Sequence, residues 1–158
     1  MLPPRIRYFL TEMFRRYPTA RVAGSYPLHL YAGSPYSDID VFVPANLLGY
    51  NMLSLFNTQG LMHETTSTSD YDGDAIHRTF RFGEYNLIAI NTESFHNYID
   101  TFDLDICKVI LDNRLNVVAT PEAQDVFNSG ICIADEVMES RLLKYQGRFP
   151  EINFIEVQ

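Results

Sequence analysis

The segment Asp38-Ile-Asp-Val-Phe-Val-Pro44 constrains the fold of this chain more than any other stretch. Its β-branched and aromatic residues favour extended backbone, and Pro44, which lacks an N–H for the ladder, closes the run. Side chains two apart in a strand point to one face, so Asp38 and Asp40 present two carboxylates about 7 Å apart at their Cα atoms. The apolar Val41, Phe42 and Val43 that follow fix the same strand in a core. Like charges held side by side on a rigid strand repel, and a divalent cation relieves that repulsion. Phosphoryl and nucleotidyl transfer use such pairs to hold metal ions about 3.5–4 Å apart. Alone, the pattern more often marks a solvated strand start, so its neighbours have to decide.

The neighbouring segments divide into short elements without a strict βαβ alternation. Residues 5–17 read as an amphipathic helix with Ile6, Phe9, Leu10, Met13 and Phe14 on one face, ended by Pro18. A short strand over 21–23 runs into Gly24-Ser25, and a helix over 26–31 and a turn-rich loop over 32–37 follow. A second helix covers 47–57, and residues 61–67 and 75–82 form two arms of a hairpin around 69–74. Strands are expected over 86–91 and 103–112, a short helix over 94–101, and an edge strand over 152–157. Thr120 as N-cap and Pro121 at the first position mark a helix over 121–128, and 135–145 is the last long helix. The order predicts an α+β protein, a mixed sheet flanked by helices. At 158 residues the chain fits one domain, 1–158, with a real core.

Charge narrows the function. The formal net charge is −8, with 46% hydrophobic and 20% charged residues. A protein that grips nucleic acid through its phosphates normally shows a basic face. Here the overall field repels polyanions, which argues against bulk DNA and favours a small ligand or a protein partner. A nucleoside triphosphate can arrive complexed with Mg²⁺, which removes much of the repulsion. No apolar run approaches the roughly 20 residues that span a membrane. The N-terminus lacks the pattern of a signal peptide, and Cys107 and Cys132 stand outside any CxxC pattern. The expectation is a reduced, cytoplasmic protein.

Val22-Ala-Gly-Ser25 precedes Asp38-Ile-Asp-Val41 by a dozen residues. A strand that ends in Gly-Ser and opens a helix offers backbone N–H groups and a hydroxyl to a phosphate. This combination resembles the signature of the nucleotidyltransferase superfamily (DNA polymerase beta-like). In that family an apolar residue with Gly-Gly or Gly-Ser stands ahead of an apolar-flanked Asp-x-Asp. The resemblance implies the nucleotidyltransferase fold, a triphosphate held at Gly24 and Ser25, and Mg²⁺ (or Mn²⁺) bound by Asp38 and Asp40 with a third carboxylate from a neighbouring strand. Two departures are visible. Tyr26-Pro-Leu-His29 follows the Gly-Ser where active members often carry Arg, and Asn86 stands where the third acid is expected.

Asp103 and Asp105, in Phe102-Asp-Leu-Asp-Ile-Cys107, are the substitutes for that acid, Asp103 as a catalytic residue and Asp105 as a metal ligand. A capped, solvent-facing strand start explains the same residues. Glu84 is a weaker candidate. The segments Phe102–Val109, Val118–Ala123 and Ser140–Phe149 together resemble uncharacterised nucleotidyltransferase-like proteins of phages and large DNA viruses, which would place the chain in a host cytoplasm. Arg141, Lys144 and Arg148 lie on one stripe of the last helix if it persists past Gly147. They are candidates for binding the nucleotide's phosphates or an RNA end. The competing reading is a helix whose cations complement its dipole and an acidic surface.

Other features carry less. Asp70-Tyr-Asp-Gly-Asp74 fails the spacing of a calcium loop and reads as a polar turn. His29, His63, His77 and His96 lack zinc-ligand spacing, although His63 and His77 could face each other across the hairpin. Ser25 has no His-acid partner, and Cys107 reads as a small buried residue. Two functions therefore stand. One is a metal-dependent nucleotidyltransferase moving a nucleoside monophosphate from the triphosphate to a hydroxyl acceptor: a protein side chain, an RNA end or a small molecule. The other is a catalytically degenerate binding or interaction protein of the same fold, acting on a nucleotide or a host factor.

Overall fold

The computed structural model describes residues 2–56, 62–65, 75–92 and 94–157, without the side chains of Leu55 and Phe56. Its centre is set by the most apolar strands. β2 (Ile39–Pro44) and β5 (Tyr85–Ile90) pair in parallel, in register from Ile39↔Tyr85 to Pro44↔Ile90. Every residue of β5 is buried, as expected for a strand covered on both faces. β1 (Arg21–Ala23) lies antiparallel on the other side of β2. The outer strands are β3 (His63–Thr65), β4 (Ile76–Phe82), β6 (Val109–Leu111) and β7 (Val117–Ala119), giving the order β3-β4-β5-β2-β1-β6-β7. The expected α+β mixed sheet is therefore present.

Alternation along the central strands divides the core in two. Ile39, Val41, Val43, Leu87 and Ala89 share one cluster with Ile6, Leu10, Met13 and Phe14 of α1 (Pro4–Arg16). Phe42, Ile88 and Ile90 face the other way. They pack with α4 (Phe95–Ile99), α5 (Pro121–Ser129) and α6 (Glu139–Arg148). α2 (Ser25–Ala32) bridges the layers, with Tyr26 in the first cluster and Leu28 in the second. α3 (Tyr50–Phe56) supplies Met52 to the α1 side. Asp38, Asp40 and Asn86 have the parity of Phe42 and Ile88, so they open on the face that the C-terminal half covers.

Several expectations change. The strand expected over 103–112 is only Val109–Leu111, because Asp105–Cys107 coils into a 3₁₀ turn that packs against α5. The last helix begins at Glu139 rather than 135, because Ile131–Ala134 forms an unforeseen strand, β8, and Glu136 takes a positive φ. β8 pairs in parallel with β9 (Asn153–Glu156) as a separate two-stranded ribbon. Thr120 caps α5 as expected, accepting from the Ala123 N–H at 3.3 Å. The acidic turn over 69–74 lies outside the described residues. Among the described residues no helix is long and apolar enough to cross a membrane.

Burial ranks the cost of change along α1. Leu10 has no exposed surface, whereas Tyr8 is 72% exposed. Leu10→Ala should cost about 2–5 kcal/mol in urea unfolding, against about 0.5 kcal/mol or less for Tyr8→Ala. Equal costs would contradict the packing of α1 against the sheet.

Candidate functional site

Strand pairing lines up one row of residues across the sheet. Ala23 is opposite Asp40, Asp40 beside Asn86, Asn86 opposite Arg81, and Arg81 opposite His63. Directly opposite residues project from the same face, so Asp40, Asn86, Arg81 and His63 form a polar strip that meets Ala23 at the Gly24 turn. Its hydrogen bonds form a connected set. Asn86 Nδ2 donates to Asp40 Oδ1 at 2.9 Å, and Arg81 Nη2 donates to Asp38 Oδ1 at 2.9 Å. Arg81 Nη1 reaches Asn86 Oδ1 at 3.5 Å, so the amide both donates and accepts along the strip.

Burial grades the strip. Asn86 is 7% exposed and therefore needs the partners it has. The Arg81 and Asp38 side chains are 41% and 27% exposed, and a pair of that kind is worth about 0.2–1 kcal/mol. Arg81 can thus leave Asp38 cheaply, whereas the amide next to Asp40 is fixed by its surroundings.

The Gly-Ser turn meets this strip because of local geometry. Gly24 takes φ 84° and ψ −149°, a conformation open to glycine and not to side chains with a Cβ. It ends β1 next to Ala23, the partner of Asp40, and lets α2 start at once with Ser25. α2 stops at Gly33, whose left-handed φ of 75° turns the chain back toward β2. Ser25 Oγ then accepts from the Ser37 N–H at 3.3 Å, tying the residue before Asp38 to the turn. The sequence spacing is thus one short helix and its return loop.

The proposed substitutes for the third acid lie elsewhere. Arg141 Nε donates to both Asp103 carboxylate oxygens, at 2.9 and 2.8 Å, and Asp105 pairs with Lys108 Nζ at 2.8 Å. Among the described residues no group of three or more His, Cys, Asp and Glu could hold a metal ion, so neither Asp103 nor Asp105 joins Asp38 and Asp40. The reason is the 3₁₀ turn, which folds this segment onto α5 and β8 instead of extending it along the sheet. Glu84 is taken by Arg5 of α1. His63 opposes Arg81 and not His77.

α6 does persist through Gly147 to Arg148. Its cations gather on one ring: Arg141, Lys144 and Arg148 lie 5.0, 5.7 and 5.7 Å from the Tyr145 centroid. Arg141 is only 6% exposed and also points Nη2 at Cys107 Sγ, 3.5 Å away. This guanidinium fastens α6 to the segment holding Asp103 and Cys107. Burial pushes the Cys107 thiol up to about 11 against the opposing pull of Arg141, so it stays a protonated core residue. Cys132 is likewise buried and free.

Arg81 is the residue that reading the sequence missed. A signal was available: Gly83-Glu84 is a two-residue turn, and closing it pairs Phe82 with Tyr85 and hence Arg81 with Asn86.

No protein-family model and no curated protein matches the chain. Among solved structures it is similar to the Bacillus stearothermophilus CCA-adding enzyme in complex with CTP, a nucleotidyltransferase-fold enzyme. The match has a TM-score of 0.55 at 12% identity and covers 96% of this chain. The chain spans 36% of the length of that enzyme, and at this identity the likeness speaks for the fold.

The two ion pairs should differ in what they hold up. Asp103→Ala leaves a buried guanidinium without its carboxylate and should cost about 2–3 kcal/mol. Asp38→Ala leaves Arg81 in solvent and should cost about 1 kcal/mol or less. Chemical denaturation of the two variants side by side checks this ordering, and a reversed order would contradict it.

Proposed function

We propose that this chain, which has the nucleotidyltransferase fold, is a nucleotide-binding protein that takes a nucleoside triphosphate and one divalent cation at the Gly24 end of its sheet. Gly24 and Ser25 hold the phosphates through backbone N–H groups and the hydroxyl. Asp38 and Asp40, two hard oxygen donors on one strand face, fit one Mg²⁺ or Mn²⁺. When bound, that ion supplies charge neutralisation at the phosphate oxygens. Asp103, Asp105 and Arg141 have no part in this reading: Arg141 pairs with Asp103 and Lys108 with Asp105, and among the described residues neither carboxylate groups with Asp38 and Asp40.

The observation that carries this reading is Asn86. It stands in register beside Asp40 and points an N–H donor at it, where a two-metal site needs another anionic acceptor. With Arg81 on Asp38, the side chains of the strip sum to about one negative charge, too little to hold two divalent ions close together. The protein therefore binds nucleotide far better than it turns it over. Its action on a host factor in a viral setting rests on the motifs of the C-terminal half alone.

A second reading is favoured by the Asp38/Asp40 pair facing the Gly-Ser turn. In it a hydroxyl of a protein side chain, an RNA end or a small molecule attacks the α-phosphorus. The bond to the pyrophosphate breaks, and the hydroxyl proton passes to solvent. The two readings separate in one set of measurements. Calorimetry with each nucleoside triphosphate and Mg²⁺ should show binding to the wild type that Asp38→Ala/Asp40→Ala weakens by about tenfold or more. Pyrophosphate release should be at background in the wild type and rise in Asn86→Asp, which restores a third acid. Robust release by the wild type that vanishes in the double variant would favour the transferase, and absence of nucleotide binding would overturn both.

A further inference from the structure

A triphosphate brought to a site of net negative side-chain charge, in a protein of formal charge −8, needs a cation from the protein. The turn itself offers none, because α2, Ser25-Tyr-Pro-Leu-His-Leu-Tyr-Ala32, contains no Arg or Lys. The cations of α6 are gathered around Tyr145, and Arg141 among them is committed to Asp103. Arg5 of α1 is held by Glu84. Arg81 is the guanidinium placed on the polar strip itself.

We propose that Arg81 is the residue that binds the nucleotide's phosphates, and that its ion pair with Asp38 is its resting position. This rests on the nucleotide-binding reading of the site and assigns a function to a residue outside its recognised motif. Three features of the geometry support it. Arg81 already spreads its planar fork over two acceptors, Asp38 and Asn86, and two phosphate oxygens match the same fork. The side chain is 41% exposed and projects from an outer strand, so it can swing without disturbing the core. Its resting partner is the carboxylate that a divalent cation would claim. A cation held by Asp38 would free Arg81 from its ion pair, and the guanidinium would then turn onto the phosphates. Before then the guanidinium relieves the repulsion between Asp38 and Asp40.

The exchange gives opposite signs for metal and for nucleotide. Arg81→Ala should weaken binding of a fluorescent ATP analogue in Mg²⁺ by about tenfold or more. The same variant should bind Mn²⁺ alone more tightly than the wild type, by severalfold in calorimetry, because Asp38 has lost its competing cation. Arg81→Lys keeps the charge but loses the fork, and should fall between the two for nucleotide. Thermal unfolding of both variants within a few degrees of the wild type would confirm that they fold. Unchanged or tighter nucleotide binding by Arg81→Ala would overturn the proposal while leaving the nucleotide site intact. Failure of the wild type itself to bind the analogue would instead overturn the reading of the site.

Discussion

The parallel pairing of β2 with β5 is the constraint on which the site depends. It sets Asp40 beside Asn86 at a fixed register, and a one-residue slip would turn either Asp38 and Asp40 or Asn86 into the opposite core. That slip is opposed from both sides. Val41 and Leu87 pack with α1 in one cluster, while Phe42 and Ile88 pack in the cluster that holds α4, α5 and α6. The chemistry of the strip thus follows from the apolar packing of the residues next to it in β2 and β5. Because β5 returns from β4 through Gly83-Glu84, the same register also delivers Arg81.

Two kinds of ion pair do different things in this molecule. Arg141 with Asp103 is largely buried and ties α6 to the turn before β6, with Cys107 and Tyr145 completing the surroundings of the guanidinium. The two carboxylates are similarly part-exposed, but the Arg81 guanidinium is 41% exposed against 6% for Arg141, so Arg81 can exchange partners. The identical chemistry of guanidinium and carboxylate is a fastening in one place and a replaceable contact in the other. Burial makes the difference.

The sequence reveals the central sheet and the Gly24–Asp40 spacing because apolar alternation and glycine chemistry are local. Val22-Ala-Gly-Ser25 and Asp38–Val43 each state their conformation within a few residues. The C-terminal half is less legible. Asp103 and Asp105 alternate with Phe102, Leu104 and Ile106 as a strand would, yet Leu104 and Ile106 are fully buried in a segment that includes a 3₁₀ turn. Burial of alternate residues does not distinguish the two. β8 was hidden because Ile131 and Ile133 face solvent while Cys132 and Ala134 face the core, the reverse of the usual pattern. The role of Arg141 needs a partner 38 positions away, which no local pattern reports.

The proposed nucleotide site has room for one cation between Asp38 and Asp40. An anomalous difference map from crystals grown with Mn²⁺ and a non-hydrolysable nucleoside triphosphate tests it most directly. The expected result is a single manganese peak shared by the Asp38 and Asp40 carboxylates, with the triphosphate at Gly24 and Ser25. Two peaks at that end of the sheet, or manganese at Asp103 and Asp105 instead, would contradict it.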